Sequence, residues 1–119
     1  MPSPHAIAPP EARLDRLFVA LADGNRRGMV DRLSAGPASV SELAKPLGIA
    51  LPSALKHLAL LEAGGIVCSE KSGRVRTYRI APEAFGALED WVAQRKTQWQ
   101  RQFDRLEAYL RDTQEEDQE

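Results

Sequence analysis

The chain has 119 residues, 16 Lys and Arg against 17 Asp and Glu, a formal net charge of −1, a single Cys and 43% apolar residues. That length supports one small domain with a limited core, and a lone thiol rules out a disulfide framework or a thiolate metal cage. No apolar run is long enough to cross a bilayer, and the start Met1-Pro2-Ser3-Pro4-His5 lacks the basic and apolar regions of a secretory signal, so the sequence reads as cytoplasmic with no membrane partner.

Residues 1–10 hold four of the eight prolines and read as a disordered N-terminal arm. From Arg13 to Ala22 an apolar stripe of Leu14, Leu17, Phe18 and Leu21 predicts a helix. Asp23-Gly24-Asn25 turns the chain into a second helix carrying Met29, Val30 and Leu33, with Asn25 as its expected cap. Arg26 and Arg27 at its start oppose the helix dipole, so a partner is expected for at least one of them, a carboxylate or a phosphate.

Ser39-Val40-Ser41-Glu42 has capping-box spacing and opens a third helix, Val40 to Lys45, which Pro46 and Gly48 are expected to stop. The fourth helix begins near Leu51 with Pro52 in its first turn, turns Ala54, Leu58 and Leu61 inward, and ends at Gly64-Gly65. At about 100° per residue, Lys56 faces away from that stripe, with Ser53 and His57 on its flanks. Small and basic residues at the exposed N-terminal end of a helix suit entry into a DNA major groove. His57 can bond a phosphate or base edge or pack at the edge of the core. Leu55 can meet thymine methyls or pack against Leu51 and the stem of Glu62.

Two runs of β-branched and aromatic residues, Ile66–Glu70 and Val75–Ile80, flank Lys71-Ser72-Gly73-Arg74 and predict a two-stranded hairpin. Lys71, Arg74, Arg76 and Arg79 place four cations within nine residues, which suits a wing lying on phosphate or in a minor groove; the alternative is a solvated strand edge. From Pro82 to about Arg111 a last helix of roughly 45 Å carries Phe85, Leu88, Val92, Trp99, Phe103, Leu106 and Leu110 at near-heptad spacing, with Trp91 and Tyr109 beside the seam. A stripe that long calls for a second copy, and Leu14, Phe18, Trp91, Val92, Trp99 and Phe103 are the expected dimer interface; an effector pocket is the other reading of the tryptophans. Residues 113–119 form an acidic tail.

The expected architecture is mainly α with a small β-hairpin: a winged helix-turn-helix of five helices and a two-stranded wing, dimerising through its terminal helices. Residues 11–80 form the DNA-binding part and 81–112 the dimerisation helix. Charge follows that division. Residues 11–80 carry 11 Lys and Arg against 7 Asp and Glu, a balance of +4; from residue 81 onward the count is 5 against 10, a balance of −5. The reading domain therefore has a positive local field despite the net charge.

Ala20-Leu21-Ala22-Asp23-Gly24-Asn25-Arg26-Arg27, Val40-Ser41-Glu42-Leu43-Ala44, Pro52 with Lys56-His57-Leu58, Leu61 to Val67, and Gly73 to Arg79 together resemble the bacterial ArsR family of transcriptional regulators, in collinear order over about residues 14–110. The resemblance implies a homodimeric repressor that binds double-stranded DNA at an operator near its own or a neighbouring gene and is often released by a small-molecule effector. Three departures bear on function. Relatives that sense metals carry Cys-x-Cys on the third helix or Asp and His on the last, whereas this chain has no cysteine at 40–44 and no histidine after His57, so no metal or other cofactor is expected. Ala50 stands where relatives often cap the recognition helix with Ser or Thr, and Leu55 where they often have serine. No Ser-His-Asp set, phosphate loop or carboxylate pair is readable, so an enzyme is not expected. The alternative is a winged helix that serves only as a protein-interaction module.

Overall fold

The protein is described by a computed structural model covering residues 10–117. Its elements are α1 (Pro10–Leu21), α2 (Gly24–Leu33), β1 (Ala38–Ser39), α3 (Val40–Leu47), α4 (Leu51–Ala63), β2 (Val67–Ser72), β3 (Val75–Ile80) and α5 (Gly86–Asp117). The chain divides into two compact units between Ala87 and Leu88. Of the disordered arm expected over residues 1–10, residues 1–9 lie outside the described residues, while Pro10 already opens α1.

In the first unit each helix contributes its apolar stripe to one core: Leu17 and Ala20 from α1, Met29 and Leu33 from α2, Leu43 and Ala44 from α3, and Ala54, Leu58 and Leu61 from α4. The sheet closes the core with Val67 and Tyr78, and no charged side chain is buried among the described residues. Gly64 sets how closely α4 meets α1, because a Cβ there would stand 2.9 Å from the Ala20 methyl and 3.0 Å from the Arg16 carbonyl oxygen.

α3 and α4 end by the same device. Ile49 N–H reaches Ala44 O at 3.3 Å and Gly48 N–H reaches Lys45 O at 3.1 Å; Ile66 N–H reaches Leu61 O and Gly65 N–H reaches Glu62 O, both at 3.0 Å. These are paired Schellman bonds, and after α4 they pack Ile66 near Leu61, both fully buried, which aims the chain directly into β2.

Several boundaries differ from the sequence reading: α1 opens at Pro10 rather than Arg13, and β2 begins at Val67 and runs on to Ser72, which leaves only Gly73-Arg74 in the turn. α3 continues through Pro46 to Leu47, because a proline in the last turn of a short helix forfeits only one backbone bond. Asp23, not Asn25, caps α2, accepting from Asn25 N–H at 2.9 Å and Arg26 N–H at 3.2 Å. The sheet has a third, short strand: β1 pairs antiparallel with β3, Ala38 opposite Tyr78 and Ser39 opposite Thr77, giving the order β1-β3-β2. The last helix starts at Gly86 and not Pro82, since Ala84 and Gly86 instead close turns onto Ala81 and Glu83 and leave Phe85 outside it; at the other end it runs on to Asp117, through Gln and Glu, which are good helix formers.

The second unit is the remainder of α5. Trp99, Phe103, Leu106, Tyr109 and Leu110 along it are each at least 48% exposed. Arg95 stacks over the Trp91 ring at 4.7 Å, one turn apart on the same helix.

Candidate nucleic-acid interface

The exposed half of α4 is built by its packing. With Ala54, Leu58 and Leu61 turned into the core, Pro52, Ser53, Leu55, Lys56 and Ala59 are left facing solvent. Its first turn has no acidic residue, and its cap, Ala50, offers no side-chain acceptor, so the positive end of the helix dipole is not neutralised.

His57 is held differently. Arg26 Nη1 lies 3.1 Å from His57 Nδ1. A guanidinium nitrogen can only donate, so in the neutral ring Nδ1 is the acceptor and Nε2 carries the proton. The same guanidinium closes the C-terminus of α1, donating from Nε to Ala20 O at 2.7 Å and from Nη2 to Val19 O at 3.0 Å, while Arg27 Nη1 donates to Leu21 O at 2.7 Å. The expected partners of Arg26 and Arg27 are thus helix carbonyls rather than carboxylate or phosphate: both arginines oppose the dipole of α2 and satisfy that of α1. Asp23 Oδ2 stands 3.8 Å from His57 Nδ1. The Arg26 backbone N–H that it accepts, followed by the Arg26 charge, holds its carboxyl below the usual aspartate value. Asp23, Arg26 and His57 together fix α4 to the α1–α2 corner.

The wing is set by register. Ser72 pairs with Val75, leaving Gly73-Arg74 as a two-residue loop. Gly73 has φ 63° and no non-glycine residue among those described has positive φ, which is the sign pattern of a type II′ turn and places Arg74 at the tip. Lys71 stands directly opposite Arg76. Like charges facing each other across a hairpin are destabilising, so the pair is a local cost in the free protein. Arg76 donates to Ser69 Oγ at 2.9 Å, and Ser69 Oγ donates to Glu62 Oε1 at 2.9 Å. That chain ties the wing to α4 and turns the one acid of α4 toward the sheet. Burial pushes the Tyr78 phenol up, and the nearby Glu62 charge adds to the rise.

The structure therefore brings Ser53, Lys56 and His57 onto one helix and Arg74 and Arg76 onto the hairpin linked to it. Sequence reasoning missed the positioning residues Glu62 and Ser69, for which no local signal existed, and treated Arg26 only as a cation needing a partner. Of the expected interface residues, Phe18 is 45%, Trp99 48% and Phe103 64% exposed, whereas Leu14, Trp91 and Val92 are half-buried. Among the described residues no group of three or more His, Cys, Asp or Glu is arranged to hold a metal ion, and Cys68 is half-buried on β2.

Residues 21–69 match the family model of a helix-turn-helix domain. The chain is 42% identical over 74 residues to the HTH-type transcriptional regulator Rv2034 of Mycobacterium tuberculosis, covering 62% of this chain and 69% of that protein. To the arsenical resistance operon repressor of Escherichia coli it is 32% identical over 98 residues, covering 81% and 80%. Among solved structures, an ArsR family transcriptional regulator, RHA00566, is 48% identical and superposes with a TM-score of 0.72 over 79% of this chain and 97% of that one. The homodimeric winged helix-turn-helix DNA-binding domain of Mb0332 from Mycobacterium bovis is 28% identical, with a TM-score of 0.59 over 78% and 92%.

Proposed function

The chain belongs to the ArsR family of winged helix-turn-helix transcriptional regulators, and from that premise we propose that it acts as a homodimeric repressor on a two-fold symmetric operator. In this reading Ser53, Lys56 and His57 enter the major groove, His57 offering Nε2–H to a phosphate or base edge, while Arg74 and Arg76 hold the wing on the backbone or in the minor groove. The observation that carries it is the Lys71–Arg76 pair beside Arg74: the fold maintains a repulsive cluster of cations at its tip, and a phosphate relieves that cost.

The dimer rests on the exposed apolar seam of α5 and on the face of α1, through Leu14, Phe18, Trp91, Val92, Trp99 and Phe103, and the homodimeric Mycobacterium bovis structure supports it. Two copies set their recognition helices about one DNA turn, roughly 34 Å, apart. The name of the Escherichia coli relative supports the repressive sign. The chain's lack of cysteine in α3 and of histidine after His57 supports a response that does not depend on metal. Hydroxyl-radical footprinting on the gene's own upstream DNA tests the reading: two protected half-sites one turn apart, unchanged by EDTA or added Zn²⁺, are expected. A featureless footprint with no salt-dependent binding would favour the protein-interaction module, and a Zn²⁺-dependent release would overturn the metal-free reading.

A further inference from the structure

The reading helix is more apolar than DNA binding requires. Leu51 is 47% and Leu55 48% exposed on α4, and at a spacing of four they lie one turn apart on the same face. Single exposed leucines are ordinary; these two adjoin Lys56 on the N-terminal half of the helix, where the cap and first turn carry no acid. Glu62, which shares their side of the helix, accepts a hydrogen bond from Ser69 and faces the wing, so no carboxylate crowds the pair.

We propose that Leu55, with Leu51 beside it, reads thymine C5-methyl groups in the major groove and so determines part of the operator sequence. The proposal rests on the DNA-binding reading above. Its physical basis is that leucine has no donor or acceptor, and the thymine methyl is the largest apolar group that the major-groove edges of the bases present. Leu51 and Leu55 are about 6 Å apart along the helix axis, a span of roughly two base-pair steps, so neighbouring thymines can be met by one helix face. Leu55 then acts as a specificity residue beside Lys56, while the wing supplies attraction that is indifferent to sequence.

The test begins with selection of a preferred site from a random duplex library by the full chain. Each thymine of that site is then replaced by deoxyuridine, which removes the methyl and nothing else, and affinity is read by fluorescence anisotropy. The wild type is expected to lose about three- to five-fold in affinity per contacted methyl, compounding to roughly ten-fold or more over two symmetric half-sites. Leu55→Ala is expected to lose the penalty at the thymine that Leu55 contacts, and Leu51→Ala the penalty at the thymine that Leu51 contacts. If no deoxyuridine weakens the wild type, the proposal is overturned without recourse to any variant. It is equally overturned if the penalty is undiminished at every thymine in Leu55→Ala; an undiminished penalty in Leu51→Ala as well would mark the effect as one of DNA stiffness. Either result leaves operator binding standing; failure of the selection to enrich any sequence would remove the DNA-binding reading and this proposal with it.

Discussion

Replacing Lys71 with Gln should move stability and DNA affinity in opposite directions. Lys71 faces Arg76 across the hairpin, and Arg76 is held in place by its bond to Ser69. Two unit charges roughly 6 Å apart in a water-like dielectric repel by about 0.7 kcal/mol before screening, and measured cross-strand pairs span about 0.2–1 kcal/mol. Removing one charge while keeping a similar stem should therefore stabilise the free protein by about 0.2–0.7 kcal/mol, a rise in Tm of roughly 1–4 °C. The gain should shrink as salt approaches about 1 M, where the Debye length falls to about 3 Å. On DNA the same substitution should weaken binding, and the slope of log K against log salt should become shallower by about 0.9 per protomer, or about 1.8 per dimer. Differential scanning calorimetry and anisotropy across a salt series read the two effects. A lowered Tm that ignores salt, or an unchanged salt slope, would refute the assignment of this pair to the phosphate backbone.

Lys56→Ala should weaken binding to the selected operator more than to a shuffled duplex, as measured by anisotropy; equal losses on both would reduce Lys56 to a phosphate contact. Arg26→Ala removes donors to Ala20 O, Val19 O and His57 Nδ1, and urea unfolding should show a loss of about 2–3 kcal/mol; a loss within about 0.5 kcal/mol, as at an ordinary surface site, would contradict the role given to this corner. Asp23 and Glu42 both titrate below their ordinary values, Asp23 chiefly through the Arg26 N–H and Glu42 through the Ser39 N–H and then the Ser39 hydroxyl. Folded values below the unfolded ones mean that their contribution is complete above the unfolded range near pH 4 and is lost as pH falls through the folded values. Tm should therefore decline less steeply between about pH 5 and 2 in Asp23→Asn/Glu42→Gln than in the wild type; parallel curves would count against both caps.

What could be read from the sequence followed the periodicity of each contact. The stripe Ala54, Leu58, Leu61, the proline that opens α4 and the glycines that close it are all local signals, and α4 spans Leu51–Ala63 with those three side chains buried. The capping box of Ser39 and Glu42 was equally plain, and both of its bonds are made. Pro46 misled because its effect depends on distance from the helix end, which a dipeptide does not reveal. β1 escaped because two residues cannot display an alternating pattern; Ala38 and Ser39 become a strand only because Tyr78 and Thr77 lie beside them. The site divided along the same line. Lys56 and the wing arginines announce themselves by charge, but Arg26 meets His57 across 31 residues of chain, and the Glu62–Ser69–Arg76 chain exists only once β2 is folded back beside α4 and β3.

On the reading proposed above, this surface binds a particular DNA sequence through charge concentrated on the wing and α4. Fluorescence anisotropy of the purified protein with its own upstream DNA and with a shuffled duplex, repeated across salt concentrations, tests it most directly. Tight binding to the upstream duplex, much weaker binding to the shuffled one, and a steep fall in affinity for both as salt rises are expected; binding that is weak, equal on the two duplexes and indifferent to salt would refute a sequence-reading role for this surface.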